Sequence, residues 1–241
     1  MTTLSERLAE TRWGTYLTAA ERRALDRAME LAGAPSTALE VGCEGGRWLQ
    51  VLADAGWAVI GTDVDREALA VCSERLPQAR CIAVSASDST LPCETASLRL
   101  VLVYEVGPVI QSSWFPAEAA RVLEPGGLLV CTYYNRSSAR GAAYRLLRQV
   151  SSRRRREGST YYTGPSYRSF RNGLRDLRFR IVHEEGLGWC PFTRASESRL
   201  IPLCTAAERR LGLRSLPTLS PLVVLVAQRE ADPAAPNHPR R

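Results

Sequence analysis

The sequence contains no lysine, so all 32 of its basic side chains are arginine. That excludes a lysine general base, a Schiff-base nucleophile and the Tyr-x-x-x-Lys pair of short-chain dehydrogenases. Histidine is almost as scarce, at two in 241 residues. Seven cysteines (Cys43, Cys72, Cys81, Cys93, Cys131, Cys190 and Cys204) are scattered and form no Cys-x-x-Cys pair. Neither a zinc site nor a disulfide framework is indicated, and no metal is expected. The cysteines read as small core residues in a reducing compartment. No apolar run reaches the roughly 20 residues of a membrane span. The first residues turn amphipathic at once, unlike a secretory signal, so the expected location is cytoplasmic.

What is present is ordinary globular composition, 45% apolar and 24% charged, in a chain long enough for one decorated α/β domain. The formal charge of +7 reads first as a coding bias toward arginine, and second as selection for planar contacts to carboxylate or phosphate. Two capping-box patterns open the chain, Thr3-x-x-Glu6 and Thr18-x-x-Glu21. In each, a cap hydroxyl and a later carboxylate satisfy orphan amides reciprocally, so two helices are expected, the second over 20–32. From there strands over 38–41, 57–62, 80–84, 98–104 and 128–134 alternate with helices over 47–55, 66–75 and 117–123. Pro125-Gly126-Gly127 reads as a turn before the fifth strand. This spacing implies parallel strands joined by right-handed crossovers, a Rossmann-like doubly wound sheet. Beyond it, helices are expected over 138–150 and 167–176, strands over 179–184 and 222–228, and a helical insertion over 196–211.

A strand running straight into Gly42-Cys43-Glu44-Gly45-Gly46 needs a chemical reason. Glycines at a strand-to-helix turn permit positive φ and close approach of a ligand, and the following helix aims free amides at it. Taken alone, this suits any nucleotide. Asp63 lies about 20 residues on, at the end of the second strand, where an acid accepts both ribose hydroxyls. Ser87-Asp88 follows the third strand, where an adenine amino group could be met. Tyr104-Glu105 closes the fourth. All lie on one carboxyl edge of the sheet.

These stretches resemble the class I S-adenosylmethionine-dependent methyltransferases, the group that includes quinone-biosynthesis methylases. The matching segments are Ala38-Leu-Glu-Val-Gly-Cys-Glu-Gly-Gly46, Ile60-Gly-Thr-Asp-Val-Asp65, Leu91-Pro92 and Ala120-Arg-Val-Leu-Glu-Pro-Gly-Gly-Leu-Leu129. The resemblance implies about seven strands, the last two an antiparallel hairpin, and S-adenosylmethionine as cofactor. It implies cofactor contacts from Tyr16, Glu40, Gly42, Cys43, Glu44, Gly45, Asp63, Val64, Ser87, Asp88 and Tyr104. Residues 1–35 are then a helical cap, 36–134 the cofactor-binding core and 135–177 a cover. Residues 178–229 are the closing strands with a helical insertion, and 230–241 a disordered tail. The chain departs from the family at Glu44, where a glycine is usual, and at Val109, where many relatives carry histidine.

The expected reaction is methyl transfer to a small-molecule acceptor. If the acceptor must lose a proton, the candidate bases are Glu105, Tyr104, Tyr133 and Tyr134, with Glu105 the most economical. His183 reads as a strand residue. Trp13 and Tyr16, with 135–169, are expected to cover the site. Arg136, Arg140, Arg145 and Arg148 recur in one expected helix; they read as surface charge, with a basic face toward an acidic acceptor as the alternative. Three competing functions were weighed. A nicotinamide-dependent oxidoreductase would place Glu44 against a pyrophosphate and repel it. A nucleic-acid, chiefly RNA, methylase is suggested by Arg153–156 and Tyr161-Tyr162, yet no Asn/Asp-Pro-Pro segment follows the fourth strand. A non-catalytic cofactor-binding module would bind and transfer nothing.

Overall fold

The computed structural model describes residues 3–150 and 162–231. The arginine run at 153–156, Tyr161 and nearly all of the tail lie outside them. In chain order the elements are α1 (Leu4–Glu10), α2 (Arg12–Ala32), β1 (Thr37–Val41), α3 (Arg47–Asp54), β2 (Ala58–Asp63), α4 (Arg66–Arg75), β3 (Arg80–Ala83) and β4 (Leu98–Val103). There follow α5 (Gly107–Ile110), α6 (Phe115–Val122), β5 (Leu123–Tyr134), α7 (Ala139–Val150), α8 (Tyr167–Asp176), β6 (Phe179–Leu187), α9 (Ile201–Arg210) and β7 (Leu222–Arg229). The seven strands form one sheet in the order β3-β2-β1-β4-β5-β7-β6. The first five pair in parallel, and β7 lies antiparallel to both β5 and β6.

Alternation along each strand sends neighbouring side chains to opposite faces of the sheet, and both faces are dry. Leu100, Leu102, Leu128 and Val130 pack beneath α2, α3 and α4 with Leu25, Leu49 and Leu69. Val101, Val103, Leu129 and Tyr133 pack on the other face with Phe115, Tyr167 and Phe170 from α6 and α8. Strands buried on both faces explain why the sequence shows continuous apolar runs there. Among the described residues, no helix is long and apolar enough to cross a membrane.

Three local readings are corrected. The capping box expected at Thr18 does not start a helix: α2 runs unbroken from Arg12, and Thr11 caps it by accepting the Gly14 N–H. Tertiary packing of one long helix outweighs the local pattern, and the Thr18 hydroxyl instead accepts from Arg47. The Thr3 box does form, with Glu6 reaching back to the Thr3 N–H. Pro125-Gly126-Gly127 falls within β5 as a bulge, since the register jumps from Leu98↔Leu123 to Leu100↔Leu128 and Gly126 takes φ +84°. Last, the insertion helix is shorter than expected, starting at Ile201 with Pro202 in its first turn, where its missing N–H costs nothing.

Candidate functional site

Strand order reverses between β1 and β4, which opens a crevice at their carboxyl ends. A cavity of about 430 Å³ lies there, walled by the ends of β1, β2 and β4, by α1 and α2, and by Arg194 from the β6–α9 connection. Gly42 takes φ +71°, and a Cβ there would stand 2.4 Å from Val106 Cγ2, so both backbone and space require glycine. Glu44 also takes positive φ, at +47°. Its N–H donates to Asp63 Oδ2 at 2.8 Å, while the Asp65 N–H donates to Asp63 Oδ1 at 2.9 Å. The carboxylate at the end of β2 is thereby fixed by one amide on each oxygen.

The cavity is acidic. Five carboxylates line it (Glu21, Glu40, Glu44, Asp63 and Glu105) against two guanidinium groups, Arg47 and Arg194. Such a lining suits a ligand carrying positive charge and repels a pyrophosphate. Glu40 is 4% exposed, and its Oε2 is buried without a hydrogen-bond partner. Burial holds its carboxyl well above the usual carboxylate range, with Arg47 partly opposing the shift. A pKa raised on folding means that Glu40 costs no stability while protonated and an increasing amount as pH rises toward its folded value. Glu40→Gln should therefore stabilise the free protein at neutral pH, by on the order of 1 kcal/mol or about 2–4 °C in Tm. The gain should vanish below the usual carboxylate range. Calorimetric melts across that pH interval check this, and binding of a cationic cofactor should weaken in the same variant.

A second cavity, about 280 Å³, adjoins the first and shares Glu105 and Arg194 with it. Its walls are mainly aromatic, from Trp13, Tyr134, Tyr144, Tyr162 and Phe192. Tyr162 meets Tyr134 edge-on and Tyr144 tilted, each with ring centroids 5.6 Å apart. Between the cavities, Glu105 is held at φ +61°, a conformation that costs a residue with a Cβ on the order of 1–3 kcal/mol. Its N–H donates to Thr132 Oγ1 at 2.6 Å, its Oε1 accepts the Tyr134 hydroxyl at 3.1 Å, and its Oε2 pairs with Arg194. Arg194 also pairs with the buried Glu21 at 3.3 Å.

The structure brings Glu40, Gly42, Cys43, Glu44, Asp63, Tyr104 and Glu105 together around the first cavity. The other expected positions lie apart from it. Gly45 packs against α1 and α4, where a Cβ would meet the Thr3 methyl at 2.5 Å. Val64 stands beyond β2, 58% exposed. Ser87 and Asp88 sit in an exposed loop that is closed on itself, Asp88 accepting the Ser85 N–H and Ser87 bonding the Ser85 hydroxyl. Tyr16 lies about 100° around α2 from Leu17; it borders a separate cleft, and its hydroxyl donates to the buried Glu208. Tyr104 lines the cavity with its ring, edge-on to Trp48, but its hydroxyl donates to the Glu21 carbonyl at 2.5 Å in the interior. Burial pushes that phenol well above its ordinary pKa, which makes it wall rather than base. Tyr133 faces the opposite layer and donates to the Pro165 carbonyl. His183 lies in β6, its pKa lowered by burial, and borders neither cavity. Among the described residues no cluster of three or more His, Cys, Asp or Glu suits a metal ion.

Glu21, Arg47, Trp48, Phe192 and Arg194 went unnoticed in the sequence. Glu21 looked like a capping residue. Arg194 stands in a segment without motif or periodicity, and only the fold carries it to Glu21 and Glu105.

Residues 39–131 match the family described as methyltransferase domain. No curated protein matches the chain. Among solved structures, a complex described as that between the Haloferax volcanii Trm112 methyltransferase activator and the putative methyltransferase superposes with TM-score 0.60 at 17% identity, over 96% of this chain and 99% of that one. A Listeria monocytogenes protein described as a putative S-adenosylmethionine-dependent methyltransferase gives TM-score 0.59 at 13% identity, over 88% of this chain and 99% of that one. Geranyl diphosphate C-methyltransferase from Streptomyces coelicolor gives 0.57 at 16%, over 88% and 78%. At such identities the likeness establishes the fold, mostly parallel with an antiparallel closing pair.

Proposed function

We propose that the chain is a class I S-adenosylmethionine-dependent methyltransferase whose methyl acceptor is a small molecule held in the aromatic cavity, a reading supported by the domain match over residues 39–131 and by the fold. One observation carries the reading: an acidic cavity at the switch point of the sheet shares Glu105 and Arg194 with a mostly apolar cavity of small-molecule size. The cofactor, when bound, supplies an electrophilic methyl on a sulfonium. The chain's own residues supply binding, alignment and a dry site, effects that can amount to about 7–11 kcal/mol in favourable cases. Glu40 and Glu44 suit the ammonium of the cofactor. Asp63 suits its ribose, because two of the roughly four acceptor sites of a carboxylate are taken by amides and two stay open for the two hydroxyls.

Glu105 acts as proton acceptor for the incoming nucleophile, assisted by the Tyr134 hydroxyl. Its strained backbone supports this role, since strain that only surrounding structure maintains concentrates at functional positions. A cavity of about 280 Å³ with aromatic walls favours a small molecule over a nucleic-acid strand, which needs an extended basic groove. The test has two arms: calorimetric binding of S-adenosylhomocysteine, then release of S-adenosylhomocysteine from S-adenosylmethionine across a panel of small acceptors and RNA. Turnover on RNA alone would reject the reading, as would cofactor binding without turnover on any acceptor.

A further inference from the structure

The aromatic cavity contains one cation that the rest of the site does not explain. Arg140, in the first turn of α7, lines this cavity and not the acidic one. The sequence reading as surface charge fails for it, because Arg140 is partly buried and its guanidinium is folded inward against the β6–α9 connection. It donates to the Phe192 carbonyl at 2.9 Å and more weakly to the Cys190 carbonyl at 3.4 Å. A guanidinium has five N–H donors, so about three remain. Among the described residues no carboxylate lies within ion-pair distance of it. The other guanidinium in the cavity, that of Arg194, is already paired with Glu105 and Glu21. Among the described residues that line the cavity, Glu105 and Arg194 offset one another, and the charge left for an occupant is the positive charge of Arg140.

A partly buried cation with no carboxylate partner among the described residues, lining a cavity that five aromatic side chains also line, loses solvation free energy that a ligand anion can restore. The two carbonyls fix the guanidinium plane through both terminal nitrogens and leave Nε–H and one N–H on each terminal nitrogen as donors, so that a carboxylate can be met side-on by Nε–H and one of them. The rings ask for a ligand that is flat and apolar over most of its surface. Resting on the reading that this cavity holds the methyl acceptor, we propose that the acceptor is an aromatic or similarly flat apolar acid, its carboxylate on Arg140 and its nucleophilic group toward Glu105 and Tyr134. Arg140 is then a specificity-determining residue, and the methyl-transfer chemistry stays with the Glu105 end. A nucleotide or a polyphosphate fits less well, because a single guanidinium answers one acidic group.

The experiment is calorimetry on the full chain saturated with S-adenosylhomocysteine. The probes are hydroxyaryl carboxylates of one and two rings, each paired with its isosteric carboxamide. The acids are expected to bind at least about tenfold more tightly than their amides, because a charge-assisted pair replaces a neutral hydrogen bond. Arg140→Gln should reduce that preference to within about twofold, while Arg140→Lys keeps part of it. Both variants should bind S-adenosylhomocysteine as the parent does, which also shows that they fold. Equal binding of acid and amide by the parent, or binding of neither, overturns the proposal while leaving the cofactor assignment intact. Failure of S-adenosylhomocysteine to bind the parent would instead remove the methyltransferase reading beneath it.

Discussion

Replacing Asp63 by alanine is expected to weaken S-adenosylmethionine binding by about 10- to 100-fold, with the fold retained. The magnitude follows from losing two hydrogen bonds to a charged acceptor, each contributing about 1.5–3 kcal/mol before solvent competition. Geometry argues for the upper part of that range. Asp63 is fixed on both oxygens by the Glu44 and Asp65 amides, so it meets a ligand already oriented. Removing it also releases the Glu44 amide, in the one residue of the glycine turn that adopts positive φ without being glycine. Asp63→Asn separates the two effects. The amide side chain keeps one carbonyl acceptor for the turn and loses the charge and one acceptor face, so it should fall between parent and alanine. Titration calorimetry with S-adenosylmethionine and with S-adenosylhomocysteine checks both variants. Unchanged affinity in Asp63→Ala would remove Asp63 from the cofactor site.

The sheet was legible in the sequence because it rests on local signals. Apolar runs such as 98–103, helices between them and a glycine turn at the end of the first strand state both the elements and their order. The acids at Glu40 and Asp63 were legible for a related reason: their place is set by distance along the chain from that turn. The stretch Thr18-Ala-Ala-Glu21 carries a genuine capping pattern, overruled only because Trp13, Leu17, Ala20 and Ala24 bury one continuous helical stripe. Tyr16 misled in a different way. Its neighbours Trp13 and Leu17 do line the aromatic cavity, but helical phase turns Tyr16 toward Glu208 instead. What no local pattern could reveal is the convergence of residues far apart in the chain. Arg194 meets Glu21 across 173 positions, and Arg140 meets the Phe192 carbonyl across 52. Such contacts exist only once the closing strands have returned the β6–α9 connection over the carboxyl edge of the sheet.

Arg194 is where that convergence should have its largest energetic consequence. Glu21 is 1% exposed and pairs with Arg194 at 3.3 Å and with Arg47 at 3.8 Å. Burial raises the Glu21 pKa, and these two cations oppose the rise. Arg194→Met keeps most of the side-chain volume and removes the closer cation, so the folded-state pKa of Glu21 must rise further. Breaking a buried pair from one side costs about 3–5 kcal/mol; with Arg47 still present, a loss near the lower end is expected. The sign of its pH dependence is fixed. A carboxyl whose folded pKa is raised retains its full stability below the unfolded value and loses it as pH rises through the folded one. The deficit of Arg194→Met should accordingly be greatest near about pH 8 and shrink toward about pH 4, where Glu21 is largely protonated in either state. Denaturant unfolding at several pH values measures this, and a deficit independent of pH would mean that lost packing outweighs the charge. Adding Glu21→Gln removes the stranded carboxylate and should recover most of the stability. Methyl transfer should not recover with it, because Glu105 would still lack the cation that holds it between the two cavities. Rescue of folding without rescue of turnover would assign Arg194 two separable tasks, one toward each carboxylate it joins.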